Sequence, residues 1–408
     1  MKKKIFINYT LTFIIFFSFV YGIFFLENSS GGAQNDSIHV LNNFDLFKTY
    51  KLTNFPWEKY DSSSLPIYYF FLDIFFETKK NLPNLNIFLS LVTLFFFFKI
   101  IKKKLYKKLD QSYVLLFSII IFLSPYLRSS TFWGLEEVIG NCFFTISLYF
   151  LLLNDIKKKL KYAIISIFFA CLAFYSRQSY IFLVIFVFLD LISIKNKISK
   201  NNFIVCFLFF ILLIPSLYFF YHWKSIFPPI AENSRTFSIN LSSIPFILSM
   251  LSIYLIPFLI LKTSNLGEIK IFFLKNFINL IILTIFFVLI LELSSFSYLG
   301  GGAIKKFLLL FIKNGIIFNV LISFIGSLTA IFIFRYFDKK LKYFTFFLIL
   351  TFVNIDIVFN EYFDPIYFIF LVANFNFKKI DKTIIEKFIY SIVTYFSLFL
   401  IGAKFYYL

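Results

Sequence analysis

The sequence predicts an all-α fold: a polytopic transmembrane helical bundle of about 11–13 spans with a large first extracytoplasmic loop. Three observations predict it. First, the 408 residues are 60% hydrophobic and include 68 Phe, with a mean hydropathy of +0.84, which excludes an ordinary soluble domain. Second, apolar runs of roughly 17–22 residues recur along the chain, the length that crosses about 30 Å of hydrocarbon as helix. Third, the short alternating segments of a transmembrane barrel are missing from the pattern. In lipid the backbone must satisfy its own polar groups, and a helix does so within each span.

The candidate spans are 5–26, 83–101, 111–127, 138–153, 162–175, 179–194, 203–221, 241–261, 272–293, 307–334, 342–358, 365–375 and 388–403. The stretch 162–194 reads equally as a tight hairpin or as a helix broken around Tyr175-Ser176-Arg177-Gln178-Ser179. The N-terminus has the basic start of a signal peptide. Its apolar core is too long for one, and no small-x-small cleavage site follows. It reads as an uncleaved first span, and the chain as a single integral membrane domain, 1–408.

Loop charge sets the expected orientation. With the N-terminus inside, the cytoplasmic side holds 27 of the 40 Lys and Arg and, counting Asp190 and Asp356 with it, 8 of the 21 acids, so the whole net charge of +19 lies there. That is the positive-inside pattern spread over many short loops. It also accounts for the basic balance through anionic lipid, and no nucleic-acid motif accompanies it. The expected outer stretches are 27–82, Arg128–Glu137, Ser176–Ser179, His222–Asn240, Ser294–Lys306 and Asn360–Pro365. The expected location is a bacterial inner (plasma) membrane with a cytoplasmic N-terminus, or the endoplasmic reticulum membrane if the source is eukaryotic.

The polar stretch after the first span is the largest break in the apolar pattern. Extended to Glu77 it carries seven carboxylates: Glu27, Asp36, Asp45, Glu58, Asp61, Asp73 and Glu77. Within Gln34-Asn35-Asp36-Ser37-Ile38-His39, Asp36 and His39 share one face if the segment is helical. A carboxylate at a membrane surface can take a proton from a hydroxyl as general base, and partial desolvation would raise its pKa toward the working range. The plain alternative is a solvated loop acid. Asp61 lies in a run rich in Ser and Tyr, residues 57–69, that includes Ser64-Leu65-Pro66. Such a run holds sugars, and it also starts helices, since Asp and Ser cap and Pro suits the first turn.

Further along, Arg128 precedes Trp133 and the Glu136-Glu137 pair. The glutamates suit a helix start, and Arg128 suits either an interfacial position or a polar wall. Arg177-Gln178 interrupts an apolar stretch, where charges are costly and often functional. Arg can grip phosphate oxygens bidentately; a water-exposed hairpin turn is the alternative. Lys305, Lys306 and Lys313 break the inside bias and can share one face of an interfacial helix. The glycines at 300–302 match no phosphate-binding fingerprint. Glu292, Asp356 and Asp73 lie in or beside apolar runs as possible buried polar partners. Cys142, Cys171 and Cys206 sit in apolar runs without ligand spacing. With two histidines, His39 and His222, no His-rich metal site is expected.

These outer residues resemble the first luminal loop of polytopic membrane glycosyltransferases of the C-type fold. They are closest in flavour to the dolichyl-phosphate-glucose alpha-1,2-glucosyltransferase family. That family's loop runs Asp-Glu-Ile-Phe-His, then Trp-Asp, then Thr-Thr-Leu-Pro-Gly-Leu-Tyr. The counterparts are Asn35-Asp36-Ser37-Ile38-His39, then Trp57-Glu58 or Tyr60-Asp61, then Ser63-Ser64-Leu65-Pro66-Ile67-Tyr68. A later family stretch, Phe-Arg-Gln-Thr-Asn-Ile, is similar to Tyr175-Ser176-Arg177-Gln178-Ser179-Tyr180-Ile181. The chain departs in having one acid before His39 instead of two, and in having no Gly after Pro66.

The resemblance implies an inverting glycosyltransferase, with 27–82 as its extracytoplasmic catalytic loop. Its donor would be a polyprenyl-phosphate-linked sugar, and its acceptor a lipid or glycan on the outer face. Asp36, His39 and Asp61 would be catalytic, with Asp36 deprotonating the acceptor. Arg177, Gln178, Arg128, Glu136, Glu137, Lys305 and Lys306 would bind substrate or phosphate. No metal or other cofactor is expected, although some relatives use a divalent ion. Membrane lipids are expected partners, and nucleic acid is not. Two other classes fit a polytopic chain. A flippase or transporter should show repeat symmetry and midplane charges. An oligosaccharide polymerase should place Arg and His in a later outer loop, as His222 and Arg235 do.

Overall fold

The computed structural model describes all residues except 1, 51–53, 63, 76–80, 106–107, 194–199, 227, 229–238, 263–265, 294–301, 313, 354–357 and 408. Glu77, Arg235, Lys313, Asp356, Ser63, Gly300 and Gly301 therefore lie outside the described residues. Seventeen α-helices and no strand occur among the described residues. The chain divides into two compact units, Met1–Arg235 with Phe396–Leu408, and Thr236–Tyr395.

The first unit holds α1 (Lys2–Phe24), α2 (Ala33–Thr49), α3 (Ile67–Phe75), α4 (Leu82–Leu105), α5 (Gln111–Ile119), α6 (Pro125–Phe132), α7 (Glu137–Lys157), α8 (Leu160–Ser176), α9 (Ile181–Ser193) and α10 (Lys200–Trp223). The second holds α11 (Ser243–Lys262), α12 (Leu266–Glu292), α13 (Gly302–Phe311), α14 (Gly315–Tyr336), α15 (Lys339–Phe352) and α16 (Ile366–Asn374). The last helix, α17 (Lys382–Tyr407), ends among the residues of the first unit.

Among the described residues, eight helices are long and apolar enough to cross a membrane: α1, α4, α7, α10, α11, α12, α14 and α17. The thirteen apolar stretches of the sequence therefore do not each make a full span. Residues 111–132 pass only as a pair bent by 68°. The bend falls at Pro125, which has no N–H to continue a helix. Ser124 caps the new start by accepting from the Leu127 amide at 2.9 Å. The stretches 162–175 and 179–194 form the shorter apolar helices α8 and α9, parted at Arg177. Helices α15 and α16 have 14 and 9 residues, about 21 and 14 Å at the helical rise, well short of the bilayer core.

Small polar residues let the helices of the first unit approach closely, as in membrane packing generally. Helices α7 and α8 form a hairpin closed by Lys158 in a left-handed conformation, φ 53°. Along it Ser147 and Ser166 donate to each other's carbonyls at 2.8 and 3.0 Å. Asn8 of α1 donates to the Ser112 hydroxyl of α5 at 3.0 Å.

Within each unit, several of the polar stretches meet. In the first unit, residues from 27–82, Arg128–Glu137, Ser176–Ser179 and the His222 end of α10 meet in one polar and aromatic layer. In the second unit, the Ala303 amide donates to Asn360 Oδ1 at 3.4 Å, joining the other two stretches. Lys404 Nζ lies 2.7 Å from Glu27 Oε2, so the C-terminal ends of α1 and α17 share a level.

Candidate active site

The polar stretch after α1 is a folded cap. Gly31 turns the chain at φ 82°, where a Cβ would also collide with the Tyr407 ring. Helix α2 then starts at Ala33 and carries Asp36, His39 and Asn43 at three- and four-residue spacing, hence on one face. Beyond it the chain settles on an aromatic core. Tyr60, Tyr68 and Tyr69 are fully buried, and Trp57 nearly so. Phe47 stacks on Tyr69 with centroids 5.4 Å apart, and Tyr60 stacks on Trp223 of α10 at 6.1 Å. Such offset and edge contacts fix ring positions beyond simple area burial, so the polar groups they carry are held in place.

Two pairs of polar residues flank Asp36. On one side His39 Nδ1 hydrogen-bonds Asp61 Oδ2. Asn43 holds Asp61 through the backbone, donating to its carbonyl at 2.7 Å and accepting from its amide at 2.9 Å. The His39 ring remains about half exposed. On the other side Arg177 Nη2 lies 3.4 Å from Glu137 Oε1. Both stand at helix ends, Glu137 opening α7 and Arg177 closing α8. Gly140 allows this closeness, since a Cβ there would lie 2.9 Å from the Tyr180 ring and 3.0 Å from Ser176 Oγ.

Asp36 itself is open to solvent on one face, with protein walling the rest. Its carboxylate accepts no hydrogen bond among the described residues. Burial foremost, and then the charge of Glu137, push its pKa up to about 6, against the pull of His39 and Arg177. Glu136, next in sequence to Glu137, is buried. Ser62 donates to both its oxygens at 2.8 and 3.0 Å, and the Tyr69 hydroxyl donates to Oε2 at 3.2 Å. Burial and the neighbouring Glu137 raise Glu136 to about 7. Glu137 Oε2 and Gln178 Oε1 are buried acceptors without a hydrogen-bond partner among the described residues, whereas Gln178 Nε2 donates to the Ile226 carbonyl at 3.1 Å. Buried acceptors normally find donors, and substrate hydroxyls are of the right kind.

Seven of the ten residues singled out in sequence thus gather in the first unit: Asp36, His39, Asp61, Glu136, Glu137, Arg177 and Gln178. Arg128 is in the same unit but is fully committed elsewhere. Its five N–H donors go to Glu27 Oε1 at 2.7 Å, Glu27 Oε2 at 2.6 Å, the Ser18 carbonyl at 2.7 Å, Ser18 Oγ at 3.3 Å and the Phe122 carbonyl at 3.2 Å. No donor is left for a phosphate. Burial opposes ionisation of Glu27, but Arg128 and Lys404 outweigh it and lower its pKa. Lys305 and Lys306 belong to the second unit, on α13. Lys305 is buried against the Phe246 ring at 5.3 Å, and burial, with Lys306 beside it, brings its pKa down to about 8.

Asn43, Ser62 and Tyr69 are site residues that the sequence alone did not flag. Asn43 had a signal, as the third polar residue on the Asp36–His39 face. Ser62 and Tyr69 had a signal only as members of the Ser- and Tyr-rich run around Asp61; their pairing with Glu136, 74 and 67 residues away, had none. Among the described residues no three His, Cys, Asp or Glu side chains converge as a metal-holding group. Comparison with protein-family models, curated proteins and solved structures returns no match.

Proposed function

We propose that the chain is an inverting glycosyltransferase that moves a sugar from a polyprenyl-phosphate donor to a lipid-linked or surface glycan acceptor on the outer face of the membrane. The observation that carries this reading is Asp36: a carboxylate with no hydrogen bond among the described residues, raised to about 6, set between a His–Asp pair and an Arg–Glu pair. At neutral pH such a group is largely ionised yet basic enough to accept a proton in the transition state. The acceptor hydroxyl gives its proton to Asp36 as its oxygen attacks the anomeric carbon. The bond from that carbon to phosphate oxygen breaks, and the polyprenyl phosphate departs with the bonding pair. Arg177, held by Glu137 at a distance longer than a tight ion pair, supplies charge to the leaving phosphate. His39, oriented by Asp61, faces the acceptor. Glu137 Oε2 and Gln178 Oε1 accept from sugar hydroxyls.

The test is transfer from a panel of radiolabelled polyprenyl-phosphate sugars to lipid acceptors by the purified full chain. Asp36→Asn, matched for folding by elution and melting temperature, should lose on the order of 10²–10⁴-fold in rate, the usual contribution of a positioned base. Undiminished transfer by Asp36→Asn overturns its assignment as the base. Absence of transfer from every donor, with lipid-linked glycan crossing liposomes instead, replaces the enzyme with a transporter.

A further inference from the structure

A second site of a different kind lies in the other unit. A cavity of about 510 Å³ opens between α11, α12, α14 and α15. Most of its wall is apolar, with Leu248, Leu283, Phe287 and Ile349 among the lining side chains. Arg335, Lys342 and Asn276 line it too, and no acidic side chain does. Arg335 Nη1 donates to Asn276 Oδ1 at 2.8 Å, while Asn276 Nδ2 is tied to the Phe272 carbonyl at 2.6 Å. The guanidinium is therefore steered by a neutral amide. Neither Arg335 nor Lys342 has a carboxylate partner among the described residues.

The dimensions match one leaflet. Asn276 and Phe287 are both on α12, and the eleven steps between them span about 16 Å, roughly half of a hydrocarbon core of about 30 Å. Arg335 ends α14 and Lys342 lies in the first turn of α15. That turn is on the inner side by the charge distribution of the sequence. An amphipathic slot with paired cations at the interface and an apolar shaft reaching the midplane complements a lipid whose single phosphate is its anionic headgroup.

We propose that this cavity binds an anionic phospholipid of the inner leaflet, its phosphate on Arg335 and Lys342 and one acyl chain along Leu283 and Phe287. The site is independent of the glycosyl-transfer reading and would exist in a transporter as well.

Native mass spectrometry of the full chain in detergent tests it, with phosphatidylglycerol and phosphatidylcholine of identical acyl chains as probes. Wild type should retain phosphatidylglycerol in preference to phosphatidylcholine. Arg335→Gln and Lys342→Gln should each weaken phosphatidylglycerol about fivefold, the effect of one basic side chain on an anionic headgroup. Leu283→Trp, which fills the shaft, should reduce retention of both lipids. Lys339→Gln, one turn away and outside the lining, should leave the preference intact. Excess inorganic phosphate should not displace the lipid, since it cannot replace the chain. Equal retention of the two lipids, an equal loss in Lys339→Gln, or full displacement by inorganic phosphate would each overturn the proposal. Circular dichroism and elution of each variant separate loss of binding from loss of fold.

Discussion

Asn43 clasps Asp61 with both ends of its amide, donating to the Asp61 carbonyl at 2.7 Å and accepting from the Asp61 amide at 2.9 Å. The Asn43 side chain is fully buried and also donates to the Tyr69 hydroxyl at 3.1 Å. It therefore fixes the loop that presents Asp61 to His39. Asn43→Ala is expected to destabilise the chain by about 1–3 kcal/mol, the cost of leaving buried polar groups unpaired. It should also lower transfer without moving the pH midpoint set by Asp36. Thermal melting and a pH–rate profile on one preparation check both.

The pH profile should report Asp36. With its pKa at about 6, the working carboxylate is lost as pH falls through 6, and activity should level off above about 7. The charge of Glu137 helps to raise Asp36 and His39 helps to lower it. Glu137→Gln should therefore shift the midpoint to lower pH, and His39→Gln to higher pH. A profile that stays flat from pH 5 to about 8 would remove Asp36 as the titrating group.

Glu136 should make stability depend on pH in the opposite sense from an ordinary acid. Its pKa is raised from 4.5 to about 7 in the fold, so between those values the folded state binds more protons than the unfolded one. Stability then declines as pH rises through that window. Glu136→Gln should flatten the decline in melting temperature between about pH 5 and 8. The slope is the readout, because Gln also changes the bonds to Ser62 and Tyr69. An unchanged slope would mean that Glu136 does not titrate in this range.

Arg128 should behave as a structural residue. Its guanidinium is fully buried, with Glu27 nearly so, and losing one partner of such a pair typically costs about 3–5 kcal/mol. Arg128→Ala should melt far below wild type. Arg128→Lys should recover little, because three donors on a point charge cannot reproduce a planar fork. If Arg128→Lys keeps wild-type melting but loses donor binding, Arg128 belongs to the substrate site after all.

Much of the fold was legible because membrane constraints are local. A run of apolar residues either is or is not long enough to cross hydrocarbon, and Pro125 ends a helix wherever it stands. The apolar stretches 342–358 and 365–375 hold described helices of 14 and 9 residues, a length that hydropathy alone does not report. The Asp36–His39 face was legible for the same local reason, being set by helical spacing within one segment. Arg128 was not: an Arg beside Glu136-Glu137 in sequence looks the same whether it faces a ligand or a buried carboxylate.

The sequence by itself determined an all-α chain with helices long and apolar enough to cross a membrane, through the length of its apolar runs. Only the tertiary structure decided who pairs with whom. Glu27 meets Arg128 across 101 residues and Ser62 meets Glu136 across 74, while Asp36 is left with an open carboxylate. Those partnerships arise where helix ends become neighbours, and that adjacency depends on close packing along the whole length of each helix, which no local spacing encodes.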